Sequence, residues 1–327
     1  MAGRTMRAVV IEELGSAQTM KVNPSAQVPL PGANQVLIKM KAVGINELDL
    51  RIRATGWRWY TPPFTLGIDG AGVIDSVGEG VTSLAPGDRV YVFQPITGTY
   101  AEYCLADESR VFKLHDKLTF EEGAVMPNPY MCGIRALTRA NFKKGETVLV
   151  QGASGGFGLA AVQLARGLGA SKVVGSAGSE KGRKLVKEMG ADVVLDYKSL
   201  TFKQQLRDTF GPKGVDVIIE TNVDVNFELD MELAARMGRI VVLGKRGQTL
   251  CTPQNLVYKE TTVMGCALFF CDAETRKRMN EIIYRGVDEG WLKPYVGTKF
   301  KLEEVSESHL HVENRKGASG KIILLVE

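Results

Sequence analysis

A chain of 327 residues, 44% apolar and 24% charged, is long enough for one large or two ordinary domains and can bury a sizeable core. Its net charge of +4 is spread over dispersed basic residues, with only small groups such as Lys181 to Lys187 and Arg276 to Arg278, which is not the dense stripe of a nucleic-acid binder. No run approaches the roughly 18 apolar residues that cross a bilayer, MAGRTMRAVVIEE turns acidic before a signal-peptide core could form, and five cysteines without a C-x-x-C exclude a disulfide framework and a structural zinc site, so a cytoplasmic protein is expected.

Met6 to Glu13 and Asn34 to Asn46 read as strands. Gly70 to Val81 follows as a hairpin punctuated by Gly78 and Gly80, then Pro86 to Phe93 and Gly98 to Ala106 as further strands. Short strands with glycine turns at this spacing suggest a small barrel. A helical segment is predicted from Phe120 to Leu137.

The stretch from Val148 to Ala170, VLVQGASGGFGLAAVQLARGLGA, organises the remainder. An apolar run breaks into glycines and resumes with Leu159, Val162, Leu164 and Leu168 at helical spacing, which predicts a strand, a tight turn and a helix. The turn reads Ala153-x-Gly155-x-x-Gly158, a dinucleotide-binding fingerprint with alanine in place of its first glycine. Strands follow at Lys172 to Gly178 and Asp192 to Tyr197, with a helix from Lys181 to Met189 between them, completing a βαβαβ unit. Val215 to Asn222, Arg239 to Gly247 and Thr261 to Phe270 extend it to a doubly wound sheet of about six strands, with a helix over FELDMELAARMG and a long one from Ala273 to Glu289. The last segment ends in a strand expected to rejoin the N-terminal barrel.

An NAD site places an acid at the end of its second strand to bind the ribose hydroxyls. Here that strand ends Ser176-Ala177-Gly178 with no acid, and Lys181 and Arg183 follow, which predicts NADPH. His115, His309 and His311 have neither triad nor metal spacing and are assigned no role. Cys132 reads as a buried thiol, and Trp57, Trp59 and Tyr60 as simple loop packing or as an apolar wall for a planar substrate.

The segments AVGIN, GAGVIDSVGEGV, GDRV, YAEY, QGASGGFGLAAVQLAR, VDVIIE, GRIVVLGKRG, GWLKP and GASGKIILL span nearly the whole chain. In that order they resemble the medium-chain dehydrogenase/reductase superfamily, and within it the zinc-free quinone oxidoreductases of ζ-crystallin type. The resemblance implies an α/β fold: a GroES-like β-barrel catalytic domain plus a doubly wound, parallel-sheet Rossmann domain that binds NADP. Residues 1–125 would form the first part of the catalytic domain, 126–288 the Rossmann domain, and 289–327 a return segment. Zinc-dependent members carry a cysteine where this chain has Asn46, and a histidine and glutamate where it has Ile68 and Asp69, so no metal is expected.

The implied activity is metal-free hydride transfer from NADPH to a quinone or an α,β-unsaturated carbonyl. Asn46 and Arg51 are the candidate catalytic residues, Asn46 as an amide donor to a carbonyl and Arg51 as a charge facing the anion. Relatives carry tyrosine at the position of Arg51, which leaves a cofactor-binding role open. Cys132 and Ile134 likewise replace the family's Thr-x-Tyr-like pair. The cofactor site would comprise Ser154, Gly155, Gly156, Phe157, Gly158, Gly178, Lys181, Tyr197, Asn226, Leu243, Gly244, Lys245, Arg246, Leu268 and Phe269. TTVMGCALFF reads as an apolar edge strand, predicting a homodimer or a tetramer. Two alternatives stay open: an enoyl-thioester reductase, or an RNA-binding or structural role of the ζ-crystallin kind, for which the scattered charge gives little support.

Overall fold

The computed structural model describes residues 3–57, 60–244, 247–314 and 319–327. Two compact units divide the chain, Met1–Asn128 with Pro294–Glu327, and Pro129–Lys293. The first begins with β1 (Thr5–Ile11), β2 (Val22–Gln27), β3 (Gln35–Gly44), α1 (Glu47–Thr55), β4 (Phe64–Thr65), β5 (Asp69–Val77), β6 (Arg89–Phe93), β7 (Tyr103–Asp107) and β8 (Val111–Lys113). The helix predicted over Phe120 to Leu137 is two, α2 (Phe120–Val125) and α3 (Pro127–Arg139). Pro127 has no N–H to continue the first helix, and the first turn of the second needs none there. Thr119 starts α2 with a reciprocal cap: its Oγ1 accepts from the Glu122 N–H at 3.2 Å, and the Glu122 carboxylate accepts from the Thr119 N–H at 2.8 Å.

The second unit alternates β9 (Thr147–Val150), α4 (Gly156–Gly167), β10 (Lys172–Ser176), α5 (Glu180–Glu188), β11 (Val193–Leu195), α6 (Phe202–Phe210), β12 (Val215–Glu220), α7 (Val223–Leu233), β13 (Ala234–Val242), α8 (Gln254–Lys259), β14 (Thr262–Gly265) and α9 (Ala273–Asp288). The six strands are parallel in the order β11-β10-β9-β12-β13-β14. Leu149, Val174, Ile218 and Ile240 from the sheet pack with Leu206 and Phe210 of α6 and Met231 and Leu233 of α7 into one buried cluster. This is why the central strands β9, β10 and β12 read as continuous apolar runs: neither face meets water. Strand order reverses between β9 and β12, so a crevice for a ligand is expected outside the carboxyl ends of those strands.

The chain then returns to the first unit with β15 (Val296–Lys301), α10 (Val305–Glu313) and β16 (Lys321–Leu325). Its larger sheet runs β15-β16-β3-β5-β6-β8, with β7 also pairing β3, and a smaller one runs β2-β1-β4. Met6, Ala8, Leu37, Ala101 and Tyr103 fill the space between strands of both sheets. The final strand rejoins the N-terminal unit as anticipated: Ile323, Leu324 and Leu325 lie opposite Gly44, Val43 and Ala42 of β3.

Two elements depart from the sequence reading. The helix placed over FELDMELAARMG starts earlier and stops at Leu233, and Ala234 to Gly238 already belong to β13. The sixth strand covers only Thr262–Gly265, and Leu268–Phe270 forms a 3-10 turn. In both places apolar runs were assigned from composition, which does not separate a short buried helix from a strand.

Candidate nucleotide and reduction sites

The glycine turn leaves β9 through Gln151 and enters α4 at Gly155, whose extended backbone (φ −76°, ψ 169°) caps the helix. The left-handed residue is Gly152, at φ +67°. Alanine is therefore tolerated at position 153, because the demand for a positive φ falls one residue earlier. The close approach falls on Gly158, where a Cβ would lie 2.4 Å from the Gly152 carbonyl oxygen and 2.5 Å from Ala153 Cα. A Cβ on Gly155 would meet nothing nearer than that carbonyl, at 3.7 Å, so the helix start is open on that side. The first-turn N–H groups of Gly156, Phe157 and Gly158 have no intrahelical acceptor and carry the positive end of the helix dipole, which suits a phosphate.

Ser154 borders this opening. A Cβ on Gly182 in α5 would lie 3.0 Å from Ser154 Cβ, so the serine sits against the start of α5. Ser179 caps that helix by accepting from the Gly182 N–H at 3.1 Å. Arg183 is committed to Asp196 at 2.8 Å, whereas Lys181 is exposed and has no ion-pair partner among the described residues. The Tyr197 ring lies over Gly178, where a Cβ would be 2.4 Å from the ring, and the tyrosine is half exposed. Glu180, also exposed, occupies the first turn of α5.

The remaining expected cofactor residues also lie in the second unit. Asn226 on α7 is hydrogen-bonded through its side chain to Glu220. Leu243 donates its N–H to the Glu220 carbonyl at 2.8 Å, and the Gly244 carbonyl accepts from the Val223 N–H at 3.3 Å. Leu268 is buried and Phe269 half-buried in the 3-10 turn. Trp59, Lys245 and Arg246 lie outside the described residues.

Asn46 and Arg51 belong to the first unit, as the residue that caps α1 and a residue in its middle. Asn46 is buried with its hydrogen-bonding capacity largely used. Its side-chain amide donates to Asp49 Oδ2 at 3.1 Å and to Asp69 Oδ1 at 3.0 Å, and its Oδ1 accepts from Asn128 Nδ2 at 2.8 Å. The amide donor expected for a substrate carbonyl is thus engaged within the protein. Asp49 also accepts from the Asn46 N–H at 2.8 Å and from the Tyr100 hydroxyl at 3.2 Å, and that hydroxyl lies 3.3 Å from His309 Nε2. Asp69 is ion-paired with Lys321, and both are buried. Burial, followed by the negative charge of Asp69, pushes the Asp49 carboxyl up to about 7. Arg51 is exposed.

Sequence reading missed Asp49, Asn128 and Lys321. One signal was present: an asparagine followed three residues later by an aspartate, directly after a strand, is a helix-start pattern. Ile68, where zinc-dependent members carry histidine, is buried and offers only carbon. Among the described residues no group of three or more histidines, cysteines, aspartates or glutamates is arranged to hold a metal ion. No helix of the described residues is long and apolar enough to cross a membrane.

The chain matches two families of known proteins. The alcohol dehydrogenase GroES-like domain matches residues 32–116, and the zinc-binding dehydrogenase matches residues 156–283. A human quinone oxidoreductase is 40% identical over 325 residues, covering 99% of this chain and 98% of that protein. The rat quinone oxidoreductase is 39% identical with the same coverage. Among solved structures, an NAD-dependent alcohol dehydrogenase gives a TM-score of 0.90 at 30% identity, covering 98% of this chain and 100% of that one. A mycobacterial protein complexed with NADPH gives 0.89 at 28% identity, again covering 98% and 100%. The chain belongs to the quinone oxidoreductase branch of the medium-chain dehydrogenase/reductase superfamily.

Proposed function

We propose that this chain is an NADPH-dependent reductase that passes a hydride to a quinone or an α,β-unsaturated carbonyl without a metal ion. The observation that carries the cofactor part is the glycine turn, with a helix start open at Gly155 and an uncommitted Lys181 close in sequence to the serine-lined edge of α5. The name of the human relative and the NADPH complex of the mycobacterial one support the same reading. The N–H groups of Gly156, Phe157 and Gly158 hold the pyrophosphate. Ser154 and Lys181 hold the 2′-phosphate, with Gly178 and Tyr197 beside it. Asn226, Leu243, Gly244, Leu268 and Phe269 complete the cofactor contacts, together with Lys245 and Arg246.

When bound, the nicotinamide supplies the hydride, and water supplies the proton that completes the reduction. Arg51 brings a guanidinium that stabilises the anion left by hydride transfer and is not the proton source. Asn46, with its donors turned to Asp49 and Asp69, holds the entry to α1 and so positions Arg51 along the same helix. Asp69, tied to Lys321, and the carbon-only Ile68 make a poor donor set for zinc.

Steady-state rates decide each part. The kcat/KM for NADPH should exceed that for NADH by about tenfold or more, and Lys181→Ala should narrow the gap, because a charge-assisted contact to phosphate is worth roughly 1.5 to 3 kcal/mol. Equal values for the two cofactors would sink the preference. Arg51→Ala should lower kcat on the order of 10²-fold, with activity unaffected by EDTA in the parent protein. A raised KM for NADPH with unchanged kcat would instead make Arg51 a cofactor residue, and a chelation loss restored by Zn²⁺ would end the metal-free reading. A panel of 1,4-quinones, 2-alkenals and enoyl thioesters identifies the acceptor.

The reading extends to self-association and location. Strand β14 closes one edge of the parallel sheet with Thr262, Val263 and Gly265 exposed, and Val257, Tyr258 and Phe270 are more than two-thirds exposed in the same part of the chain. A second copy pairing along this edge gives a dimer or a tetramer of dimers. Sedimentation as a monomer at micromolar concentration would refute it. Five cysteines with no disulfide among them fit a cytoplasmic protein.

A further inference from the structure

Glu220, the last residue of β12, and Asp230, in the second half of α7, are fully buried. Asp230 Oδ1 accepts from Gln151 Nε2 at 3.1 Å, and Glu220 Oε1 accepts from the Asn222 N–H. Their other oxygens, Glu220 Oε2 and Asp230 Oδ2, are buried without a donor, and the two carboxyls lie close enough to act on each other. Two ionised carboxylates are acceptors only, so such a contact holds one proton. Burial raises both groups. The negative charge of Glu220 raises Asp230 further, so the pair as a unit retains a proton.

From Asp230 a directional chain of hydrogen bonds leads to the glycine turn. Because Gln151 gives its amide hydrogen to Asp230, its Oε1 is free to accept from Ser176 Oγ, at 2.8 Å. With its own proton spent there, Ser176 Oγ accepts from the Gly152 N–H at 3.1 Å. Gly152 is the left-handed residue of the turn, and its carbonyl meets Gly158. A reversed Gln151 amide would set an NH₂ group against the serine proton and break the chain at its second link.

We propose that Asp230, paired with Glu220, is a positioning residue for the nucleotide turn, fixing the Gly152 amide through Gln151 and Ser176. The proposal rests on the reading of that turn as the NADPH site. The groups facing the pair are Gln151 from the end of β9, the Asn222 N–H after β12, and Asn226 and Asp224 from α7, of which Asp224 adds a further negative charge. Losing the shared proton at alkaline pH puts two like charges in a dry site and slackens the turn, so NADPH affinity falls as pH rises.

Two measurements test this: NADPH dissociation constants by fluorescence titration from pH 7 to 9.5, and hydrogen exchange of the Gly152-containing peptide in protein without nucleotide. The parent protein should lose on the order of tenfold in affinity across the range, about 1.4 kcal/mol. Asp230→Asn keeps the Oδ1 acceptor and offers Glu220 permanent N–H donors, so its affinity should stay flat with pH. Asp230→Ala and the milder Ser176→Ala should bind about tenfold more weakly already at pH 7 and exchange faster at Gly152. Identical pH profiles for the parent and Asp230→Asn, or unchanged exchange in both Asp230→Ala and Ser176→Ala, would overturn the proposal. Absence of saturable NADPH binding in every protein would overturn the cofactor reading instead, and the exchange data would still decide the role of Asp230.

Discussion

Each unit buries a pair of acids, and the two pairs are neutralised in different ways. In the first unit Asp69 faces the Lys321 ammonium, and Asp49 is held by Asn46 and Tyr100. In the second, Glu220 and Asp230 face amides and each other, and share a proton. A lysine brings a counter-charge of its own, but it must arrive from another strand and be buried in turn. A proton needs no partner residue, yet it departs when the pH is high enough. The lysine solution ties distant chain segments together, and the proton solution ties the state of the site to pH.

Removing the lysine should show the largest effect. Lys321→Met leaves Asp69 buried without its counter-charge, which costs about 3–5 kcal/mol, measurable as a lower urea midpoint of unfolding. Adding Asp69→Asn should recover a large part of that loss. If the double variant is no more stable than the single one, the ion pair is not the reason.

A smaller effect should appear in the pH dependence of the first unit. Asp49 is raised from 3.8 to about 7, so the stability it contributes is complete below pH 4 and lost as pH rises toward 7. His309 is lowered from 6.5 to about 3 by burial and then by Arg53, so its contribution is complete above pH 6.5 and lost as pH falls toward 3. Between pH 4 and 6.5 the two slopes oppose each other and the parent profile should be shallow. In Asp49→Asn the slope that opposes the histidine is removed, and stability should rise with pH more steeply than in the parent, by up to about 1.4 kcal/mol per unit. A profile as shallow as the parent's would mean that Asp49 does not hold its proton. The smallest effect belongs to a surface pair: Arg236 and Glu260 meet at 2.8 Å with both side chains more than half exposed, and Arg236→Gln should not measurably shift the unfolding midpoint.

How much was legible in the sequence follows from the range of the interactions. The glycine turn was readable because its demands are local: a positive φ at Gly152 and no Cβ at Gly158 are met within seven residues. The central parallel strands β9, β10 and β12 were readable because both of their faces are dry. Boundaries failed where the signal was a proline within a helical run, at Pro127, or an apolar run shared by helix and strand, at Ala234. The buried polar networks were not legible. Asp69 and Lys321 are 252 positions apart, and nothing in the residues around either shows that they meet. Asn46 was singled out, but its engagement with Asp49, Asp69 and Asn128 depends on three segments converging.

The alanine that interrupts the glycine fingerprint has a bearing on redesign. Ala153 is fully buried, and a Cβ placed on Gly175 of the neighbouring strand would come within 3.0 Å of its methyl and 2.6 Å of a Val186 methyl. One methyl therefore occupies a space that two strands border, and Val186 prevents position 175 from supplying it. Substituting Ala153→Gly would restore the standard dinucleotide-binding fingerprint and at the same time hollow out the floor of the turn. Conformity to a motif and fitness of packing point in opposite directions at that residue, so the pair 153 and 175, rather than either letter alone, is the unit on which selection for a well-formed turn would act.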